Sequence, residues 1–110
     1  MNEKYNVIYF PEAKEDLRNI YRYIAIDLFE PKIAENQVNR IRDSIKKLNS
    51  LPERHQCVEW EPWCSLGMRH YSVDNFVVYY LVKKELKIVA VVRIFYGGRN
   101  IEQIIKGLME

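Results

Sequence analysis

The run from Phe76 to Asn100 constrains the fold of this 110-residue chain more than any other stretch. It reads FVVYYLV, a charged break at Lys83, Lys84 and Glu85, then LKIVAVVRIF and the exit YGGRN. Val, Ile, Tyr and Phe in near-continuous order on both sides of a short charged break specify a central hairpin whose strands are largely covered on both faces. Everything upstream has to pack on it. Arg93, inside the second strand, and Arg99, just past its end, are the points where this apolar sheet presents fixed positive charge.

Ahead of the hairpin, Tyr5 to Phe10 is a short strand, stopped by Pro11, which suits the first position of a helix. Ala13, Leu17, Ile20, Ile24 and Leu28 then recur at intervals of three and four, with Tyr21 widening the stripe, which predicts an amphipathic helix. Glu30-Pro31 breaks the run, and Ala34, Val38, Ile41, Ile45 and Leu48 repeat the pattern. Two helices joined by so few residues must fold back as an antiparallel hairpin. Residues 49–67 have no period and read as a loop that packs, with Trp60 or Trp63 covering an edge of the core.

Met68 to Val73 alternates again, with Arg69, Tyr71 and Val73 facing one way and Met68, His70 and Ser72 the other. Asp74-Asn75 is a turn signal, and Asn100 with Gln103 reads as a capping box for a short helix carrying Ile101, Ile104, Ile105 and Leu108. The expected class is α+β in one domain spanning residues 1–110. The order along the chain is an N-terminal strand, an antiparallel helical hairpin, a three-stranded antiparallel meander and a short C-terminal helix. The excursion through two helices predicts that the first strand joins the sheet in a parallel or mixed sense.

Composition narrows the function classes. Net charge is only +2, yet residues 31–54 carry six basic and three acidic groups, so the positive excess sits on the second helix. That is compatible with a phosphate-facing or acidic-partner-facing side. No apolar run reaches the ~18 residues of a membrane span and the N-terminus has no signal-peptide pattern, so a cytoplasmic protein without membrane partners is expected. Cys57 and Cys64 read as reduced thiols. With His55 and His70 they form a formal zinc-type ligand set, but no Cys-x2-Cys pair anchors it, and neither metal nor cofactor is expected. A Walker A loop, a dinucleotide fingerprint and a nucleophile elbow are all absent.

The cluster that carries chemistry is Arg69, His70, Tyr96 and Arg99, with Arg93 and Glu61 as additions. Cleaving RNA through its 2′-hydroxyl needs a base, an acid and cations on the phosphate. His70 titrates in the right range to be acid or base, Arg69 and Arg99 suit a phosphate clamp, and Tyr96 or Glu61 suits the remaining role. The same residues also fit plain structural duties, with Arg69 paired at the sheet edge and Tyr96 capping the core.

Three stretches, YNVIYFPEAKEDLRNIYRYI, LGMRHYSVDNFVVYYLV and VVRIFYGGRNIEQII, occur in an order and spacing that resemble the RelE/ParE superfamily of toxins from type II toxin-antitoxin systems. The resemblance covers nearly the whole chain. It implies an α+β fold packed as one curved sheet with helices on one face, and a growth-inhibiting toxin of the plasmid-stabilisation kind, wrapped by a co-expressed acidic antitoxin. RelE-like members cleave messenger RNA on the ribosome, whereas ParE-like members poison DNA gyrase. For the nuclease pattern, His70 stands where a catalytic lysine is frequent and Arg99 where a basic residue follows the last strand. Val77, however, takes the place of a phosphate-binding arginine, Ser72 replaces another basic residue, and Ile105 lies near the place of a tyrosine. Arg69, the long paired helices and the segment from Arg93 to Arg99 fit the ParE-like branch better, although Tyr96 and Gly98 stand where that branch usually has histidine and arginine.

The leading expectation is therefore a toxin acting on gyrase or another protein, with Arg69, Arg93, Tyr96 and Arg99 as its functional surface. Two alternatives stand beside it. One is a ribosome-dependent endoribonuclease using His70, Arg69 and Arg99, with Tyr96 assisting, and the other is an inactive partner-binding module. Sequence-specific DNA binding is not expected of this chain.

Overall fold

The computed structural model describes residues 4–98. Its elements are β1 (Asn6–Tyr9), α1 (Pro11–Arg22), α2 (Pro31–Lys46), β2 (Gln56–Cys57), α3 (Trp63–Leu66), β3 (Met68–Val73), β4 (Phe76–Lys83) and β5 (Ile88–Tyr96). The five strands form one sheet in the order β1-β5-β4-β3-β2. β1 runs parallel to β5, and β3, β4 and β5 make the antiparallel meander. The expected C-terminal helix and Arg99 lie outside the described residues.

Both faces of the hairpin are covered, by different means. On one face the α1 and α2 stripes pack over Val78, Tyr80, Val89, Val91 and Ile94, with Ala13, Ala34, Ile41 and Ile45 fully buried between the layers. On the other, Trp63, Val58 and Met68 pack with Tyr79, Leu81, Val92 and Phe95. The aperiodic loop thus supplies the second covering layer, with Trp63 only 9% exposed. It also contributes two pieces without a sequence signal of their own, the short edge strand β2 beside β3 and the single-turn helix α3.

Two departures from regular geometry place the side chains that follow. In β5, Val92 is an extra residue: Tyr79 pairs with Arg93, but Tyr80 pairs with Val91. This bulge reverses the alternation beyond it, so Arg93 follows Tyr79 and Phe95 and its guanidinium carbon sits 4.3 Å from the Phe95 ring centre.

The second departure is in the first helix, where Tyr23–Asp27 form a π-helical turn closed by the Leu28 N–H on the Tyr23 carbonyl. The wider turn swings the chain off its 3.6-residue period. Leu28, the last member of the predicted stripe, is consequently 49% exposed while Ile24 stays buried.

Long-range polar contacts tie the layers together. The Asp74 carboxylate accepts from Gln37 Nε2 and Arg40 Nε, each at 2.9 Å, and clips α2 to the β3–β4 turn. The backbone of Asp74 has φ 55°, a left-handed conformation that aspartate tolerates. Beneath α2, the Tyr71 and Ser44 hydroxyls are 2.9 Å apart, and the Tyr80 hydroxyl donates to the Pro52 carbonyl at 2.6 Å.

Burial, the largest influence on both phenols, pushes Tyr71 up to about 12 and moves Tyr80 in the same direction. Unfolded, both would ionise near 10, so the stability they contribute is complete below pH 10 and is lost as pH rises through the folded values. Urea melts between pH 9 and 12 should show a decline of roughly 1.4 kcal/mol per pH unit for each such phenol. Tyr71→Phe should flatten that decline, whatever its effect at neutral pH.

Candidate functional site

The residues expected to act together are distributed over the sheet. Arg69 pairs with Tyr80 across β3 and β4, and His70 pairs with Tyr79, so the two adjacent residues face opposite sides. On the Arg69 side, Nη1 donates to the carbonyls of Glu53 at 3.0 Å and His55 at 2.6 Å. Nη2 lies 3.5 Å from the Glu53 carboxylate, which also takes Lys84 Nζ at 3.1 Å. Its side chain is 19% exposed and its Nε is buried without a partner. Arg69 therefore holds the turn between α2 and β2 in place, and little of its donor capacity faces solvent.

His55, in the same turn, stacks on Tyr71 with ring centres 4.4 Å apart. Burial first, then the charge of Arg54, and smaller contributions from His70 and Arg69, lower its pKa.

His70 lies on the opposite face, stacked on Tyr79 at 5.9 Å, and Trp60 and Phe95 flank the same tyrosine at 6.1 and 6.4 Å. Because Tyr79 pairs with Arg93, His70, Tyr79 and Arg93 form a row across β3, β4 and β5. The positive end of the row is already matched. Arg93 Nε and Nη2 contact the two Asp16 carboxylate oxygens at 2.8 and 3.0 Å, and the same carboxylate accepts the Ile94 N–H at 2.9 Å.

Asp16 is one of three acids in the first half of α1, with Glu12 and Glu15. Its role follows from topology: β1 pairs with β5 only through Val91, and the Asp16 carboxylate takes over as acceptor where that neighbour ends. No carboxylate or hydroxyl among the described residues hydrogen-bonds to His70 to orient it as acid or base.

Tyr96 sits apart, 54% exposed at the end of β5 and edge-on to Phe76 at 5.9 Å. Glu61 caps the turn of α3, its carboxylate accepting from the Ser65 hydroxyl and the Ser65 N–H, which hold it below the usual carboxylate range. Cys57 and Cys64 are exposed and unbridged, and no group of three potential metal ligands occurs among the described residues. No helix among the described residues is long and apolar enough to cross a membrane.

The apolar tip of the helical hairpin lies outside the periodic stripes. Tyr23 (57%), Ile26 (61%), Phe29 (83%) and Ile33 (53%) are all exposed there beside Leu28. Tyr23, Leu28 and Ile33 also line a groove of about 720 Å³ between the first helix, α2 and the end of β5, where Ile94, Phe95 and Tyr96 form its far side and Asn19, Gln37 and Asn75 add polar groups. So many large apolar side chains exposed at one end of the hairpin stand out against the singly scattered apolar residues of an ordinary protein surface. The signal in the sequence was the Leu28-Phe29 pair placed against Pro31, in a break that regular periodicity treats as a connector.

Solved structures share this architecture. A chain from the chromosomal ParDE toxin-antitoxin system of P. aeruginosa superposes with a TM-score of 0.69 at 23% identity, covering 84% of this chain and 96% of its own. A chain of the RelBE2 toxin-antitoxin complex from Mycobacterium tuberculosis gives 0.61 at 17% identity, with 86% and 92% covered. One from the archaeal RelE-RelB complex of Pyrococcus horikoshii gives 0.59 at 14% identity, with 87% and 98% covered.

These likenesses define the RelE/ParE fold. Residues 7–101 match the family described as the ParE toxin of the type II toxin-antitoxin system parDE, and the chain belongs to that family. No curated protein matches it.

Proposed function

We propose that this toxin arrests growth by binding a protein target, DNA gyrase, and that a cognate acidic antitoxin neutralises it. The observation that carries this reading is the dispersal of the RNA-cleavage set. Arg69 is spent on the Glu53–His55 turn, Arg93 is matched by Asp16, and His70 lies on the other face from Arg69. Transition-state stabilisation needs an acid, a base and free cations aimed at one phosphate, and the described residues supply no such convergence. Val77 and Ser72, where a nuclease would carry basic groups, add nothing to it.

A second reading, ribosome-dependent RNA cleavage through His70, Arg69 and Arg99, draws on the row of His70, Tyr79 and Arg93 beside Trp60, which offers rings for bases to stack on. The two readings part on measurement. Purified toxin should inhibit supercoiling by gyrase at micromolar concentration, and transcripts should stay intact during growth arrest. Codon-phased cuts in those transcripts, with gyrase unaffected, would overturn the proposal. His70→Ala should leave growth inhibition nearly unchanged, whereas loss of a general acid or base would cost about 10²–10⁴-fold.

For the antitoxin, the apolar tip and groove provide the docking surface, suited to the apolar face of an amphipathic segment. Phe29→Asp, at an 83% exposed position, should leave the fold intact and weaken antitoxin binding. A hot-spot aromatic at such an interface contributes about 2 kcal/mol or more, so a roughly 30-fold loss is expected in a pull-down or titration.

A further inference from the structure

A second concave site lies on the hairpin, lined by residues other than those of the apolar groove and the His70 row. Between α1, α2 and β1 is a hollow of about 400 Å³ whose wall carries Lys14, Arg18, Arg22 and Arg42, together with the phenols of Tyr9 and Tyr21. No carboxylate among the described residues lines it. The α1 residues recur at three- and four-residue spacing, so a single helix face presents three cations and a ring, and Arg42 closes the site from α2.

All four cations are exposed, and most of their charge is uncommitted. Arg18 pairs with Glu15 at 2.7 Å, but with side chains 60% and 50% exposed that pair is weak and yields to a stronger anion. Arg42 lies against the Tyr9 hydroxyl, where its charge opposes the upward push of burial on that phenol. The adjoining hollow that shares Arg42 also contains Asp43 and Lys46, which offset one another.

Four like charges around one cavity repel each other, a cost that a chain with a net charge of only +2 has no compositional need to bear. A multivalent anion relieves it. The ligand chemistry follows from size and lining. A volume of about 400 Å³ is that of a small-molecule site. Guanidinium groups match phosphate oxygens two at a time, and an exposed tyrosine at 41%, Tyr21, gives a nucleobase a face to stack on.

We propose that this pocket binds a nucleoside polyphosphate, with its phosphates held by Arg18, Arg22 and Arg42 and its base against Tyr21. The site is independent of which macromolecule the toxin attacks, and its failure leaves the gyrase reading untouched.

The test is a calorimetric titration of the full chain with ATP, GTP, inorganic triphosphate and a poly-glutamate peptide, at two salt concentrations. Saturable one-to-one binding of a nucleoside triphosphate is expected, weakening as salt screens the arginines. Each of Arg22→Gln and Arg42→Gln should weaken it about tenfold or more, the loss of one charge-assisted contact. Tyr21→Ala should weaken nucleotide binding by about fivefold or more with no change for inorganic triphosphate. Thermal melts of the three variants check that these exposed positions leave the fold intact. Nucleotide binding indifferent to Arg22 and Arg42, equal affinity for triphosphate and nucleotide, or saturable binding of the poly-glutamate peptide alone would each overturn the proposal.

Discussion

Replacing Asp16 with alanine is expected to destabilise the protein by about 3–5 kcal/mol, because it strands a largely buried arginine. The pair it breaks is the most enclosed in the described chain, with Arg93 and Asp16 side chains 17% and 10% exposed. Three groups lose an acceptor at once: Arg93 Nε, Arg93 Nη2 and the Ile94 N–H. The backbone loss matters as much as the ionic one, since a buried N–H without a partner costs about 1–3 kcal/mol by itself. In a domain of this size the change should lower Tm by roughly 15–25 °C.

Asp16→Asn is the informative comparison, since an amide oxygen can still accept from Ile94 while the charge match to Arg93 is lost, and it should fall between the wild type and the alanine variant. Arg93→Met should cost less than Asp16→Ala, because the carboxylate keeps its backbone donor. Equal melting temperatures for Asp16→Ala and the wild type would remove this pair from any structural role and return Arg93 to the list of free functional cations.

The second large effect is expected at Tyr80, which has no exposed surface and is the largest fully buried side chain of the core. Tyr80→Ala should cost about 3–5 kcal/mol through the cavity it leaves between sheet and helices. Tyr80→Phe keeps the ring and removes only the 2.6 Å bond to the Pro52 carbonyl, for about 1–2 kcal/mol. Pro52 begins the turn whose Glu53 and His55 carbonyls receive Arg69. Tyr80→Phe should therefore loosen that turn, seen as faster amide exchange in residues 52–57, without disturbing the helices. If exchange there stays at the wild-type rate, Arg69 and β2 hold the turn without the phenol.

Much of the architecture is legible in the sequence. The two proline-started helices, the turn at Asp74 and the covered hairpin all follow from local chemistry, and Pro11 and Pro31 begin α1 and α2 as expected. What escaped were the side-chain placements that depend on a neighbour distant in sequence. The extra residue at Val92 looks like one more apolar residue in an apolar strand, yet it decides which face Arg93 follows. Asp16 reads as a helix-start acid, and only the early end of β1 gives it a second duty.

The site was less legible still, for the same reason. Arg69 and His70 can be assigned to opposite faces from alternation alone, but that Arg69 is consumed by two carbonyls fourteen and sixteen positions upstream is tertiary information. The basic hollow draws its cations from two helices, and no window along the chain contains them together.

The π-helical turn at Tyr23–Asp27 separates two properties that an unbroken helix would keep joined. A π-turn closes on the fifth residue rather than the fourth, so it holds one residue more than an α-helical turn. A one-residue deletion there would rotate Leu28 and Phe29 relative to Ile20 and Ile24 while leaving the packed half of α1 as it is. The tip could then drift, residue by residue or by indel, toward a different partner, while the ancestry of the core stays intact. Related toxins that ignore one another's antitoxins should accordingly differ in length at this turn more than in the stripe beneath it.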